Sequence, residues 1–272
     1  MSAFTTQSAD GTELFGRHWA ADAPKAVMAL VHGYGEHCGR YEHMAAHLNS
    51  KDISVVTLDL RGHGKSAGKR GVILNYDNFR QDLAALLAQT RSLYADVPLI
   101  LYGHSMGGEL VLDHGMQGVD NMPIIASAPF LTPAEPIPAA LRFVVKIMTK
   151  ILPRGTVTQP IDGTKISSLE AEQSLYVNDP LNHGIMGFRL ARAMVEMGEG
   201  LMEKASEWDR PLLLIHSKAD QLTAFESSAA FAAAAKQVDF HAFETPEHEM
   251  HNDTSRDEVY AVMTDFILKQ VT

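Results

Sequence analysis

Apolar positions along the chain alternate between two patterns: short unbroken runs, and residues spaced three or four apart. Unbroken runs suit strands buried on both faces, while the 3.6-residue period suits helices with one buried side. Residues 12–19 and 26–31 read as an opening hairpin pair of strands. A helix follows at 41–48, a strand at 53–60 and a long helix at 76–94, in which Phe79, Leu83, Leu86 and Leu87 keep helical spacing. Strands at 99–102 and 124–126 come next. After a long gap, a strand at 212–215, a helix at 225–236, a strand at 238–243 and a helix at 256–269 resume the alternation. Strands taken in turn with helices predict an α/β fold, with a mostly parallel sheet covered by helices on both faces.

Between 130 and 208 this alternation stops. The stretch is rich in proline, methionine and helix formers, shows no clear strand, and is too long for an ordinary connection. It reads as a helical cap (130–208) inserted between two parts of one core, 1–129 and 209–272. An insertion there lies over the C-terminal ends of the strands, where open α/β sheets place their sites.

Composition adds exclusions. With 46% hydrophobic and 21% charged residues among 272, the chain is globular rather than disordered. A formal net charge of −10 argues against a nucleic-acid face, which needs an excess of Lys and Arg. The one cysteine, Cys38, precludes an internal disulfide and suits a reducing compartment. The N-terminal residues have neither the basic nor the apolar region of a signal peptide, and no apolar run reaches membrane-span length. A cytoplasmic protein is the expectation.

The strongest chemical signal is Gly103-His104-Ser105-Met106-Gly107, which follows the apolar run 99–102 and precedes residues able to enter a helix. A serine on such a sharp strand-to-helix turn projects its hydroxyl from the sheet edge. Ser105 is therefore the candidate nucleophile, and a serine hydroxyl needs a base and an orienting acid. In folds built around such an elbow, acid and histidine follow the serine in that order. Asp220 lies just past the apolar run 212–215 and is the candidate acid. His248 and His251 both follow the strand ending near Phe243; His248, nearer the strand end, is preferred as base. A tetrahedral intermediate needs two backbone N–H donors. One is Met106, after the nucleophile; the other is Tyr34, in His32-Gly33-Tyr34-Gly35-Glu36 after an early strand. The turn Asp59-Leu60-Arg61-Gly62-His63-Gly64-Lys65-Ser66 lacks P-loop spacing and reads as scaffold.

These segments, extended to His37-Cys38-Gly39-Arg40-Tyr41, Gly108, Asp179-Pro180-Leu181 and His248-Glu249-Met250-His251-Asn252, resemble the monoacylglycerol lipase and lysophospholipase branch of the α/β-hydrolase superfamily. They run in that family's order across nearly the whole chain. The resemblance implies the α/β-hydrolase fold, the triad Ser105, Asp220 and His248, and a polar end for a glycerol headgroup lined by Glu36, Arg40 and His251. It implies no cofactor and no metal. Cys38 stands where the family often has serine, and Ser217 where glycine is usual before the acid.

In the cap, Leu141, Val144, Val145, Met148, Ile151 and Leu152 share one helical face, with Phe143 and Ile147 as a second apolar edge and Arg142, Lys146 and Lys150 as a basic stripe. Two readings follow: a cap helix packed on the core, or an interfacial helix in peripheral contact with a membrane or micelle surface. Either leaves an apolar site with few polar groups, suited to a single-chain lipid ester. The expected activity is hydrolysis of monoacylglycerols through an acyl-enzyme. Lysophospholipase or short- to medium-chain carboxylesterase activity on the same triad is the alternative, and a non-catalytic binding module a remote one.

Overall fold

The central sheet begins at the N-terminus with β1 (Ser2–Gln7) and β2 (Glu13–Trp19), in a computed structural model that describes residues 1–245 and 247–271. Then come β3 (Ala26–Val31), α1 (Glu42–Asn49), β4 (Ile53–Leu58), α2 (Asp77–Leu93), β5 (Leu99–His104), α3 (Met106–Gln117) and β6 (Ile124–Ser127). A helical insertion follows, made of α4 (Ala139–Ile151), β7 (Thr156–Thr158), α5 (Glu170–Asn178), β8 (Ile185–Gly187) and α6 (Phe188–Glu203). The core resumes with β9 (Asp209–Ser217), α7 (Phe225–Ala234), β10 (Lys236–Phe243) and α8 (Arg256–Val271).

Eight strands form one sheet in the order β1-β2-β4-β3-β5-β6-β9-β10. The pairs β1/β2 and β2/β4 are antiparallel and every other pair is parallel. All six residues of β3 and of β4 are buried, which explains their unbroken apolar runs. Alternate side chains of β3 enter separate cores. Val27, Ala29 and Val31 join the core that also holds residues of α2, α3 and α7, while Met28 and Leu30 join the core that holds residues of α1 and α8.

Two expectations about strands need correction. The opening hairpin joins β2 to β1, not to β3; β4 lies between β2 and β3. Strand β3, buried throughout, belongs between two parallel neighbours, whereas half-exposed β2 suits the sheet margin. Strand β1 is not legible in the apolar pattern, because its Ser, Thr and Gln residues carry little of it. The insertion also holds a strand pair, β7 with β8, of three residues each, too short to register as a period.

The turn after β4 does scaffold work. Asp59 accepts from the N–H groups of Cys38 (2.8 Å) and Lys65 (2.7 Å), and Leu60 N–H donates to His32 Nε2 (2.9 Å), so this turn holds the loop after β3. Arg61 Nη2 bridges to Asp82 (2.6 Å), whose side chain is fully buried. Removing one partner of such a pair leaves an uncompensated buried charge. Arg61→Ala is expected to lower stability by about 3–5 kcal/mol, read as a lower urea midpoint with unchanged slope.

Candidate active site

Ser105 closes β5 and opens α3 at φ 53 and ψ −117. A non-glycine residue held in such a region costs about 1–3 kcal/mol and persists only where its surroundings enforce it. Here Ser105 N–H donates to Ser127 O (2.9 Å), while Ser105 O accepts from Glu109 N–H and Phe130 N–H, both at 3.0 Å. A Cβ on Gly107 would collide with the carbonyl oxygens of Val31 and His32, so glycine there lets α3 seat directly against the end of β3.

Asp220 follows β9 in a tight turn. Its Oδ1 accepts from Leu222 N–H (2.8 Å) and Thr223 N–H (3.0 Å). Its Oδ2 accepts from Thr223 Oγ1 (2.8 Å), His248 Nδ1 (2.7 Å) and His216 Nε2 (3.0 Å). Burial works to raise its pKa, but the two imidazoles outweigh it and hold the carboxyl well below the usual range. For His248 burial opposes the imidazolium, yet the Asp220 carboxylate prevails and the net shift is upward. With Nδ1–H given to Asp220, Nε2 of the neutral ring is left as acceptor.

Ser105 and His248 line one cavity of about 330 Å³, at the small end of ligand sites (roughly 300–1,000 Å³). Its apolar wall comes from Phe130, Ile161, Ile166, Met186, Met194 and Leu222, all but Leu222 from the insertion. Tyr34 lines it too, and among the described residues no acceptor takes the Tyr34 or Met106 N–H. Met106 is also the first residue of α3, where the helix dipole favours negative charge. A larger cavity, about 730 Å³ between α2, α3, α4 and α6, touches none of these groups.

The polar end differs from its sequence-based picture. Glu36 lines the cavity, but Arg40 and His251 lie behind it. Arg40 Nη1 bonds both Glu36 Oε2 (3.2 Å) and Glu249 Oε1, and its guanidinium lies 4.7 Å over the Tyr176 ring. Glu36 Oε1 accepts from Gly33 N–H (2.6 Å) and Tyr41 O–H (2.7 Å). Burial and the facing Glu249 push the Glu36 pKa up; Glu249 is buried too, but Arg40 and His251 bring its pKa down. His251 stacks on Tyr41 (4.8 Å), has no hydrogen-bond partner for either nitrogen among the described residues, and is pushed down by burial to about 4. The geometry thus brings His248, not His251, to the acid.

Glu36, His104 and Glu249 present ligand atoms within 4.8 Å of one another. The Arg40 guanidinium bonds both carboxylates and supplies the positive charge there. Two groups were missed by sequence reasoning, His216 and Glu249. His216, at the end of β9 and four residues before the acid, was legible in principle as an inward-facing polar residue. Glu249 owes its role to Arg40, 209 positions away, and has no local signal.

The family described as serine aminopeptidase, S33, matches residues 22–255. An uncharacterised abhydrolase domain-containing protein of Dictyostelium discoideum is 30% identical over 97% of this chain, which spans only 28% of that relative's length. Monoglyceride lipase of Mus musculus is 33% identical over 79% of this chain and 72% of its own. A soluble variant of monoglyceride lipase from Saccharomyces cerevisiae, solved with a substrate analog, superposes with a TM-score of 0.90 at 20% identity, covering 99% of this chain and 95% of that one.

If His248 activates Ser105, phosphonylation of Ser105 by a fluorophosphonate should be slow while the imidazole is protonated. Because the His248 pKa is raised, labelling should rise with pH through a midpoint above the ordinary histidine value of about 6.5. In Asp220→Asn, which removes the charge that raises it, the midpoint should fall. Gel-based labelling across a pH series measures both; a wild-type midpoint at or below the ordinary value contradicts the pairing.

Proposed function

Because this chain belongs to the monoglyceride lipase branch of the α/β-hydrolase superfamily, we propose that it is a serine hydrolase cleaving monoacylglycerols to fatty acid and glycerol. The observation that carries the mechanism is the 2.7 Å pair of His248 Nδ1 with Asp220 Oδ2, with His248 lining the same cavity as Ser105. His248 Nε2 takes the Ser105 proton as Oγ attacks the ester carbonyl, and the N–H groups of Tyr34 and Met106 receive the oxyanion. The imidazolium then gives that proton to the departing glycerol oxygen. Water, activated by the same histidine, releases the fatty acid.

In this reading the apolar wall takes the acyl chain, and Glu36 with Glu249 faces the glycerol hydroxyls, held in place by Arg40 and His251. Two carboxylates sharing one guanidinium suit neutral hydroxyls and disfavour a phosphate headgroup, which supports monoacylglycerol over lysophospholipid.

Helix α4 supports a surface role. Leu141, Phe143, Val144 and Ile151 are each at least half exposed, so the helix does not bury this face in the core; it packs on α6 instead. Lys146 and Lys150 are free of ion pairs among the described residues, whereas Arg142 pairs with Glu199 (2.7 Å). No helix among the described residues is long and apolar enough to cross a membrane. The function we assign to α4 is docking of the apolar face on lipid, with its lysines toward anionic headgroups.

A hydrolysis panel tests the activity: monoacylglycerol, lysophospholipid, p-nitrophenyl ester and aminoacyl arylamide, with Ser105→Ala as blank. Monoacylglycerol should lead, and Ser105→Ala should lose on the order of 10⁶-fold in kcat. Preference for lysophospholipid or arylamide overturns the substrate assignment. Arg40→Ala should lose about 1–3 kcal/mol more of transition-state binding on a glyceride than on a p-nitrophenyl ester of equal chain. Equal losses would mean loop collapse rather than headgroup recognition. For α4, Phe143→Ser with Ile151→Ser should reduce sedimentation with anionic vesicles while leaving p-nitrophenyl ester turnover intact; unchanged sedimentation overturns the docking role.

A further inference from the structure

The Asp179-Pro180-Leu181 motif has no part in the mechanism above, yet it opens a stretch of the insertion that fastens directly onto the loop carrying Tyr34. His37 keeps Nδ1 as acceptor for Gly39 N–H (3.1 Å) and gives Nε2–H to Asp179 Oδ2 (2.8 Å). Asp179 is itself fixed by Leu181 N–H on Oδ1 (2.8 Å). Four residues on, His183 N–H donates to Gly35 O (2.8 Å), the carbonyl next to Tyr34. The His183 ring meets the Tyr34 ring edge-on at 5.8 Å and His63 at 4.9 Å. Its Nδ1 accepts from Ile185 N–H (3.3 Å), and its Nε2–H donates to Gly62 O (3.0 Å) in the scaffold turn. Gly187 N–H completes the series on Gly71 O (2.9 Å).

These contacts grip the candidate oxyanion loop from outside the core. Gly35 sits at φ 75, and a Cβ there would come within 2.5 Å of His183 O, so the 179–187 stretch and the loop are in backbone contact. Both sides of Tyr34 are then constrained. Within the loop, Glu36 Oε1 takes the Gly33 N–H and is itself held by Tyr41 O–H, while residues 179–187, a strap across the loop, fix Gly35 O through His183 N–H. Resting on Tyr34 as an oxyanion donor, we propose that Asp179 and His183 are positioning residues that set the aim of the Tyr34 N–H at the oxyanion. The insertion is on this account part of the catalytic apparatus and not only the wall of the acyl site. Burial pushes the His183 pKa down to about 4, so the ring keeps the neutral form that this hydrogen-bond pattern needs.

The test compares wild type with His183→Ala, His183→Gln and Asp179→Ala, using a p-nitrophenyl ester and an alkyl boronic acid. The boronic acid forms a tetrahedral adduct with Ser105 that places an oxygen in the oxyanion site. A mis-aimed donor costs the transition state and this adduct but not ground-state binding. His183→Ala should lose about 10–100-fold in kcat, short of the ~10²–10³-fold of a deleted donor. Its KM should stay within about twofold, and its boronate Kd should rise in step with the kcat loss. His183→Gln, whose amide N–H can reach Gly62 O, should recover most of the loss. Asp179→Ala should move in the same direction, and provides the readout should His183→Ala not fold. Unchanged kcat and boronate affinity, a KM effect alone, or a kcat loss without weaker boronate binding each overturns the brace. None of these readouts needs a glyceride, so failure of the monoacylglycerol assignment appears separately, as a wild-type enzyme inert toward glycerides but competent on the aryl ester.

Discussion

Everything at this site hangs on one backbone constraint, the left-handed turn that holds Ser105 between β5 and α3. The turn survives because the sheet order puts β5 between β3 and β6, giving it a partner on each side. Strand β6 supplies the acceptor for Ser105 N–H, and the end of β3 receives Gly107 without an intervening side chain. Ala128, also at positive φ (43), turns the chain from β6 into the insertion and bonds to Ile215 O and Thr223 Oγ1. Thr223 in turn binds Asp220, so elbow, strand end and acid form one hydrogen-bonded unit. Local strain at the serine is offset by many neighbours that cannot relax independently.

The insertion has two sides of opposite character. One is tied to the core: the 179–187 strap holds the loop after β3, while Lys165 O and Ile166 O accept from His248 N–H (3.3 Å) and Glu249 N–H (2.9 Å). Ser168 also bonds Asp253 behind the histidine. The other side, α4, leaves most of its apolar residues in solvent.

Charge is used sparingly but deeply. Arg40 with Glu36 and Glu249 is a buried triad at the polar end of an otherwise apolar cavity. Such a triad contributes less to stability than a well-packed apolar substitute would. Gly33, Tyr41 and Asn252 meet part of its desolvation cost by donating to the two carboxylates.

By itself the sequence determined the layer architecture, the strand-to-helix turn at Ser105 and the order in which the candidates Ser105, Asp220 and His248 appear. Each of these is written in local spacing: apolar runs for β3 to β6, glycines around Ser105, and an aspartate directly after β9. It did not determine neighbours. Burial periodicity records how a strand is covered, not which strand lies beside it, so it does not distinguish a hairpin of β2 with β3 from the observed one with β1. The polar β1 and the three-residue β7 and β8 carry too little pattern to be seen. Likewise the tertiary structure alone decided that Arg40 and His251 stand behind Glu36, that His216 shares Asp220, and that Glu249 faces Arg40. These are contacts between side chains on separate elements, up to 209 positions apart, and spacing along the chain holds no record of them. The same holds for α4: its helical period fixes which residues share a face, and only packing against α6 decided that this face meets solvent.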